Sequence, residues 1–228
     1  MGKSNADGVA SGRSDGLQSV AKALGVLQRV AETESGMTLS EVVRAVEMPV
    51  TTVARLLKTL EQTGYLRRDD ASRYSPGTVL IQIGAQALSR SSLYELAEQR
   101  LIQMSEFTGE TAYLAVLAGS GRAVYLRQVE SPRAIRHASW TGRTIATAGT
   151  AVGSALEGKV GEQGFARSRA TAIEPDAAAV AAPVIDRSGE IVGAISVIGP
   201  SFRMSDEQLQ SYGVFIRKQA LELSSQLL

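Results

Sequence analysis

The sequence predicts an α+β protein in two parts: a helical N-terminal part closed by a short basic hairpin, then a larger part of antiparallel strands between helices. Three observations carry this. Apolar residues recur at helical spacing from Leu17 to Leu60. After residue 110 come two pairs of strand-like runs, joined at Gly119-Ser120-Gly121 and at Arg187-Ser188-Gly189-Glu190. The chain then closes on an amphipathic helix from Ser205.

The elements follow in order. Residues 1–16 are rich in Gly, Ser and Asp and read as a disordered arm, without the apolar core of a signal peptide. Leu17, Val20, Ala21, Leu24, Leu27 and Ala31 mark a first helix. Thr38 with Glu41 forms a capping box for a second, whose Leu39, Val42, Val43 and Val46 are suited to packing. Pro49 stands where a third helix begins, a position at which its missing N–H costs nothing. Val53, Leu56, Leu57 and Leu60 give that helix a core face, leaving Thr51, Thr52, Arg55, Lys58 and Thr59 on the other. Gly64 suits the helix C-terminus. Tyr65-Leu66 and Arg73-Tyr74 then flank a polar turn at Asp69-Asp70-Ala71-Ser72, with Arg67, Arg68 and Arg73 near the tip.

Helix, turn, helix and basic hairpin over residues 17–77 are the parts of a winged helix-turn-helix, which makes double-stranded DNA the expected partner. Arginine can bond guanine O6 and N7 bidentately, and a threonine methyl can touch that of thymine. The wing arginines would lie along phosphate or minor groove. Alone, the polar stripe also suits an ordinary solvated helix face; the capping box and hairpin around it favour DNA. Residues 49–74 hold five Lys/Arg against three acids, so the footprint comes from placement and not from bulk charge.

Val79–Ser89 is apolar on more than one face, and a helix of that kind is buried on several sides. Residues 78–91 are therefore expected to form a linker helix that also packs on a second subunit. The remaining domain, 92–228, starts with a helix bearing Leu93, Leu96, Ala97, Leu101 and Met104, continues with strands near 111–118, 123–129, 180–186 and 191–198, and ends with a helix capped by Ser205 and Gln208.

The whole chain sets bounds. Its 228 residues suffice for one small and one medium domain, and the formal charge of +1 confines nucleic-acid binding to a patch. The absence of cysteine removes disulfides and thiolate chemistry; with one histidine, no metal site or cofactor is expected. No apolar run reaches the ~20 residues of a membrane span, and the cytoplasm is the expected compartment. Gly153-Ser154-Ala155-Leu156-Glu157-Gly158-Lys159-Val160 nearly spells a phosphate-binding loop, but Val160 stands where Mg²⁺ needs a hydroxyl. No nucleophile elbow is present, so no enzyme is expected.

With both halves in view, the chain resembles the IclR family of bacterial transcriptional regulators over about residues 17–228. The likeness is carried by Leu17-Gln18-Ser19-Val20, Thr38-Leu39-Ser40-Glu41, Pro49 with Thr52-Val53 and Arg55-Leu56-Leu57, Gly64-Tyr65-Leu66, Arg73-Tyr74, Ala181-Ala182-Pro183-Val184 and Gly193-Ala194-Ile195-Ser196 with Gly199-Pro200. It implies a GAF-like C-terminal domain that binds a small effector, and homodimers or dimers of dimers on palindromic operators. The chain departs from the family pattern in three places: at Val50 and Ala54, in a very short stretch between Leu156 and Gly164, and at Ala166-Arg167-Ser168-Arg169, where an acid is often found.

The resemblance places the effector site at His137, Trp140, Ile145, Thr150, Ala151, Val152, Ser196 and Ile198. Trp140 offers a flat apolar wall, His137 a titratable donor or acceptor, and Arg169 or Arg136 a carboxylate clamp. Thr150 and the helix start near Gly149 favour an anion. An aromatic or other small carboxylic acid is the expected effector. The alternative is a C-terminal domain that only oligomerises.

Overall fold

The structure, a computed structural model, describes the backbone of residues 7–119, 121–171 and 173–227, and side chains from residue 17 onward. The chain divides into two units, residues 1–88 and 89–228.

The first unit contains α1 (Asp7–Ala31), α2 (Leu39–Val46), α3 (Val50–Gln62), the hairpin β1 (Leu66–Arg68) and β2 (Tyr74–Pro76), and most of α4 (Thr78–Ser89). Of the arm expected over 1–16, residues 1–6 lie outside the described residues. The backbone of 7–16, which the sequence assigns to that arm, forms the first turns of α1. The capping box of α2 is formed in both directions: the Thr38 N–H donates to Glu41 Oε2 at 2.7 Å and the Thr38 hydroxyl accepts from the Glu41 N–H. α3 begins after Pro49 and stops at Thr63, where Gly64 takes the left-handed φ of 75° that turns the chain into the hairpin.

Val26, Leu27, Val30, Val42, Val53, Leu57, Leu60, Leu66 and Tyr74 fill one core, with Leu56 partly buried against it. The face of α1 differs from the sequence expectation. Leu17, Val20 and Leu24 are exposed, because only the last turns of α1 reach α2 and α3. α4 buries none of its residues within the chain, leaving Ile81 and Ile83 open at 62% and 46%.

The second unit is built on a six-stranded antiparallel sheet of β3 (Thr111–Leu117), β4 (Arg122–Val129), β5 (Thr144–Ala146), β6 (Ala166–Arg169), β7 (Ala177–Ile185) and β8 (Ile191–Pro200), in the order β5-β4-β3-β8-β7-β6. Neither β5 nor β6 was legible as an alternating run, being only 3 and 4 residues long. α5 (Ser92–Thr108) and α7 (Asp206–Gln226) pack on one face, and the short α6 (Ala151–Leu156) on the other.

Strand alternation sends successive residues to opposite faces, with most of the branched ones on one side and more alanines on the other. Toward α5 and α7 point Leu114, Val180, Val184, Ile195 and Val197, closing a core with Leu101, Met104, Ile216 and Leu223. The other face carries Ala115, Ala179, Ala181, Ala194 and Ser196, relieved by Tyr113 and Tyr125. Gly153 lets α6 lie close to the loop that leads into it, because a Cβ there would collide with the Thr147 carbonyl. A sheet face of alanines opposite one small helix leaves room between them.

Candidate nucleic-acid interface and ligand cavity

α3 turns its polar face outward. Thr51, Arg55, Lys58 and Thr59 are exposed and Thr52 is half-buried, while Val53, Leu57 and Leu60 anchor the opposite side. The Thr59 hydroxyl donates to the Arg55 carbonyl at 3.0 Å. Among the described residues, neither Arg55 nor Lys58 enters an ion pair, so both cations are unspent.

The three wing arginines do different things. Arg67 and Arg68 are exposed; Arg67 Nε donates to the Ser75 hydroxyl at 3.0 Å across the hairpin, and Arg68 lies over the Tyr74 ring. Arg73 is turned inward. Its Nε donates to the Ser35 carbonyl at 2.8 Å, its Nη2 to the Gly36 carbonyl at 2.7 Å, and the same nitrogen lies 3.2 Å from Glu41 of the capping box. Sequence proximity to the tip suggested a phosphate contact; the structure instead gives Arg73 the task of tying hairpin to helix, because two carbonyls and a carboxylate converge on it.

In the second unit Trp140, Ile145, Thr150, Ala151, Val152, Ser196 and Ile198 line one cavity, with Tyr125, Ser168 and Glu174. Its volume is about 30 Å³, room for about two waters. Ser196 is 1% exposed and its hydroxyl has no partner. A buried polar group without a hydrogen bond costs about 1–3 kcal/mol, so the Ser196 hydroxyl offers a bond to whatever occupies the cavity.

Two sequence-based assignments change. The Arg169 guanidinium donates to the carbonyls of Ser201 and Met204 and lies 3.3 Å from Asp206, against a different depression, so it is no clamp for this cavity. The anion site at the start of α6 is likewise occupied. The Thr150 hydroxyl donates to the Thr147 carbonyl and accepts the Gly153 N–H at 3.0 Å, and the Ala151 N–H donates to Ser168 Oγ.

His137 stands at the border between this cavity and an outer groove of about 680 Å³, which it lines with Arg136, Ile135 and Phe202. Its ring is buried edge-on to Trp140, with centroids 4.7 Å apart. Nδ1 is 2.6 Å from the Tyr113 hydroxyl and Nε2 is 2.7 Å from Glu174 Oε2. Burial above all, then Tyr125 and the carboxylates of Glu174 and Glu130, pushes the Tyr113 hydroxyl well above the usual phenol range, and burial does the same for Tyr125. Both phenols stay protonated. Sequence reasoning missed Tyr113, Tyr125, Ser168 and Glu174. The only available signal was that the single histidine needs a partner, and no spacing names an acid 37 residues away.

Comparison with known proteins extends over both units. Residues 19–70 match the IclR helix-turn-helix domain, and residues 85–159 and 156–225 match the bacterial transcriptional regulator IclR C-terminal domain. The two C-terminal pieces meet at the short stretch after Leu156. The chain is 29% identical to the HTH-type transcriptional regulator BhcR of Paracoccus denitrificans (97% of this chain, 91% of the relative) and 28% identical to KdgR of Escherichia coli (93% and 94%). A crystal structure of an IclR transcriptional regulator from Alicyclobacillus acidocaldarius superposes with a TM-score of 0.79 at 25% identity, over 91% of this chain and 98% of that one.

The division of labour in the wing is testable. Arg73→Ala should lower stability by about 1–3 kcal/mol, measured by urea denaturation of the full chain followed by circular dichroism. Arg67→Ala should change it by less than about 0.5 kcal/mol while flattening the salt dependence of DNA binding. The opposite ranking in stability would reverse the two assignments.

Proposed function

The chain belongs to the IclR family of bacterial transcriptional regulators, and from that footing we propose that its affinity for an operator answers to a small organic acid held in the C-terminal unit. The N-terminal unit supplies the DNA contact. Thr51, Thr52, Arg55 and Thr59 read base edges in the major groove, while Lys58, Arg67 and Arg68 hold phosphate. Val50 and Ala54 offer no hydrogen bonds beyond the backbone, so Arg55 carries most of the direct readout.

The observation that carries the effector reading is the cavity on the alanine-rich sheet face. It joins an apolar wall, Trp140, to a buried hydroxyl without a partner, Ser196, with His137 at its edge. A unit that only oligomerised would have no use for polar groups converging on a void. With Arg169 committed elsewhere, the acid group of the effector falls to His137 and the body to Trp140 and Ile198. The activity is binding alone: no bond is made or broken, and no cofactor is assigned. An effector moves operator affinity only through unequal affinity for the two states, by about 1–3 kcal/mol in typical allosteric proteins.

The assembly reading rests on unpartnered apolar surface in the N-terminal unit: Ile81 and Ile83 on α4, and Leu17, Val20 and Leu24 on α1, exposed at 75%, 59% and 59%. A second copy of the chain covers such surface. Two recognition helices then meet half-sites about one helical turn, ~34 Å, or a multiple of it, apart.

Three outcomes follow from this reading. Arg55→Ala should weaken operator binding by about 1–3 kcal/mol and relax base preference, measured by titration against operator and scrambled duplexes; an unchanged preference would remove Arg55 from base readout. Sedimentation at micromolar concentration should show a dimer or larger, and a monomer would defeat the assembly. Trp140→Ala should abolish the response of operator binding to an aromatic acid such as benzoate while leaving ligand-free DNA binding intact; a normal response would exclude Trp140 as a cavity wall.

A further inference from the structure

A carboxylate of the chain itself lines the cavity. We propose that Glu174 is a resident stand-in for the effector, holding on His137 the place that the ligand's acid group takes, so that binding exchanges one carboxylate for another. The idea deepens the effector reading above and rests on it.

Three observations converge on Glu174. First, it lies where the inner cavity and the outer groove meet: with Ile173 and Ala177 it lines both. Displacing it joins about 30 Å³ of inner cavity to about 680 Å³ of groove, which turns a space for about two waters into a site for a small molecule. Second, among the described residues its backbone makes two hydrogen bonds within its own segment. Its N–H bonds the Thr171 hydroxyl at 3.1 Å and its carbonyl accepts the Ala177 N–H at 3.4 Å. Third, Ser196 waits in the inner cavity with an unpartnered hydroxyl, a group that Glu174 leaves unsatisfied and a ligand entering behind it can reach.

Proton bookkeeping gives the exchange its chemistry. The Tyr113 hydroxyl lies 2.7 Å from the Ala138 carbonyl, which can only accept, so the single phenolic proton goes there. The 2.6 Å contact from Tyr113 to Nδ1 then needs a proton on Nδ1, and the 2.7 Å contact from Nε2 to Glu174 needs another between those two atoms. Histidine and glutamate together are therefore neutral as a unit, wherever that second proton resides. The other charged groups nearby do not upset the balance: Tyr113 and Tyr125 are neutral, and Glu130 is paired with Arg136 at 3.1 Å. An incoming monocarboxylate restores the same neutral pair. A neutral amide or alcohol brings no charge to replace that of the carboxylate it displaces, and a cation brings the opposite one. The ligand class is thus a monocarboxylic acid with a compact apolar body for Trp140.

The chain has one histidine and one tryptophan, and their rings lie 4.7 Å apart, so unlabelled tryptophan fluorescence reports on this site alone. The test uses the full chain, with sodium acetate titrated against sodium chloride at equal ionic strength and acetamide as the neutral control. In Glu174→Ala, acetate fills the vacated place. It should raise the melting temperature of this variant more than that of wild type, and should change Trp140 fluorescence with about tenfold or greater tightening over wild type. Acetamide should do neither, and adding His137→Gln should abolish the acetate effect. Acetate acting equally on wild type and Glu174→Ala, or persisting without His137, overturns the exchange. If Glu174→Ala does not fold, Glu174→Gln serves: it keeps an acceptor for Nε2–H but no charge, and acetate binding no tighter than in wild type overturns the proposal. The two readings fail separately. Acetate exchange in a protein whose operator binding ignores every acid would defeat the effector reading alone. A benzoate response of operator binding that is identical in wild type and Glu174→Ala would defeat the exchange alone.

Discussion

A fully buried carboxylate, Glu110, fixes the frame of the C-terminal unit. It follows the α5 cap at Gly109 and accepts from Arg203 Nε at 2.6 Å and Nη2 at 2.8 Å and from Arg133 Nη1 at 2.8 Å. An ion taken out of water costs several kcal/mol unless partners replace the solvent, and here two guanidinium groups do so from separate segments. Hydrogen bonding to Glu110 in turn holds the Arg203 guanidinium above its ordinary value. Arg203 also donates to the Ile135 carbonyl, so one charge cluster ties the end of α5, the turn after β8 and the loop that carries His137 and Trp140. Gly199 is part of the same constraint, since a Cβ there would collide with the Glu110 carboxylate.

From that frame the cavity follows as a matter of side-chain volume. The sheet is dense on the face toward α5 and α7, where branched and long side chains interdigitate, and thin on the other, where alanines leave a gap under α6. Natural interiors close such gaps because unfilled space forfeits contact energy. A gap kept open beside an unpaired hydroxyl is a cost to folding that binding can recover. The loop over this gap is held by its own bonds: the Trp140 N–H donates to Gln128 Oε1 at 3.0 Å and the Tyr113 hydroxyl reaches Ala138. Trp140 and His137 are therefore preorganised.

The DNA-binding unit shows the opposite economy. Its hairpin is short, and its stability comes from the neighbours to which Arg73 and Tyr74 attach it; Tyr74 exchanges backbone hydrogen bonds with Met37 at 2.7 and 2.9 Å. A rigid wing leaves Arg67 and Arg68 with little backbone freedom to lose on contact with DNA. Among like-charged residues in one short stretch, exposure and prior commitment decide which are available to a partner.

Much of this protein was legible in its residues alone, and the legible part has a common character. The capping boxes Thr38–Glu41 and Ser205–Gln208 are formed, the third helix follows Pro49, and the long strands alternate as read, because each depends on residues three apart or next but one. Ser196 and Ile198, which the family resemblance named, line the same cavity as Trp140. Sequence could not say that Arg73 and Arg169 spend their charge on carbonyls, that α1 buries only its last turns, or that β5 and β6 complete the sheet. Nor could it pair Glu110 with Arg203, 93 positions away, or His137 with Glu174, 37 away. Local contacts are set by the geometry of one helix turn or one pleat, which neighbouring residues specify between themselves. A buried charge takes whichever partner the packed chain brings to it, and that choice exists only once the sheet, its loops and its helices have come together.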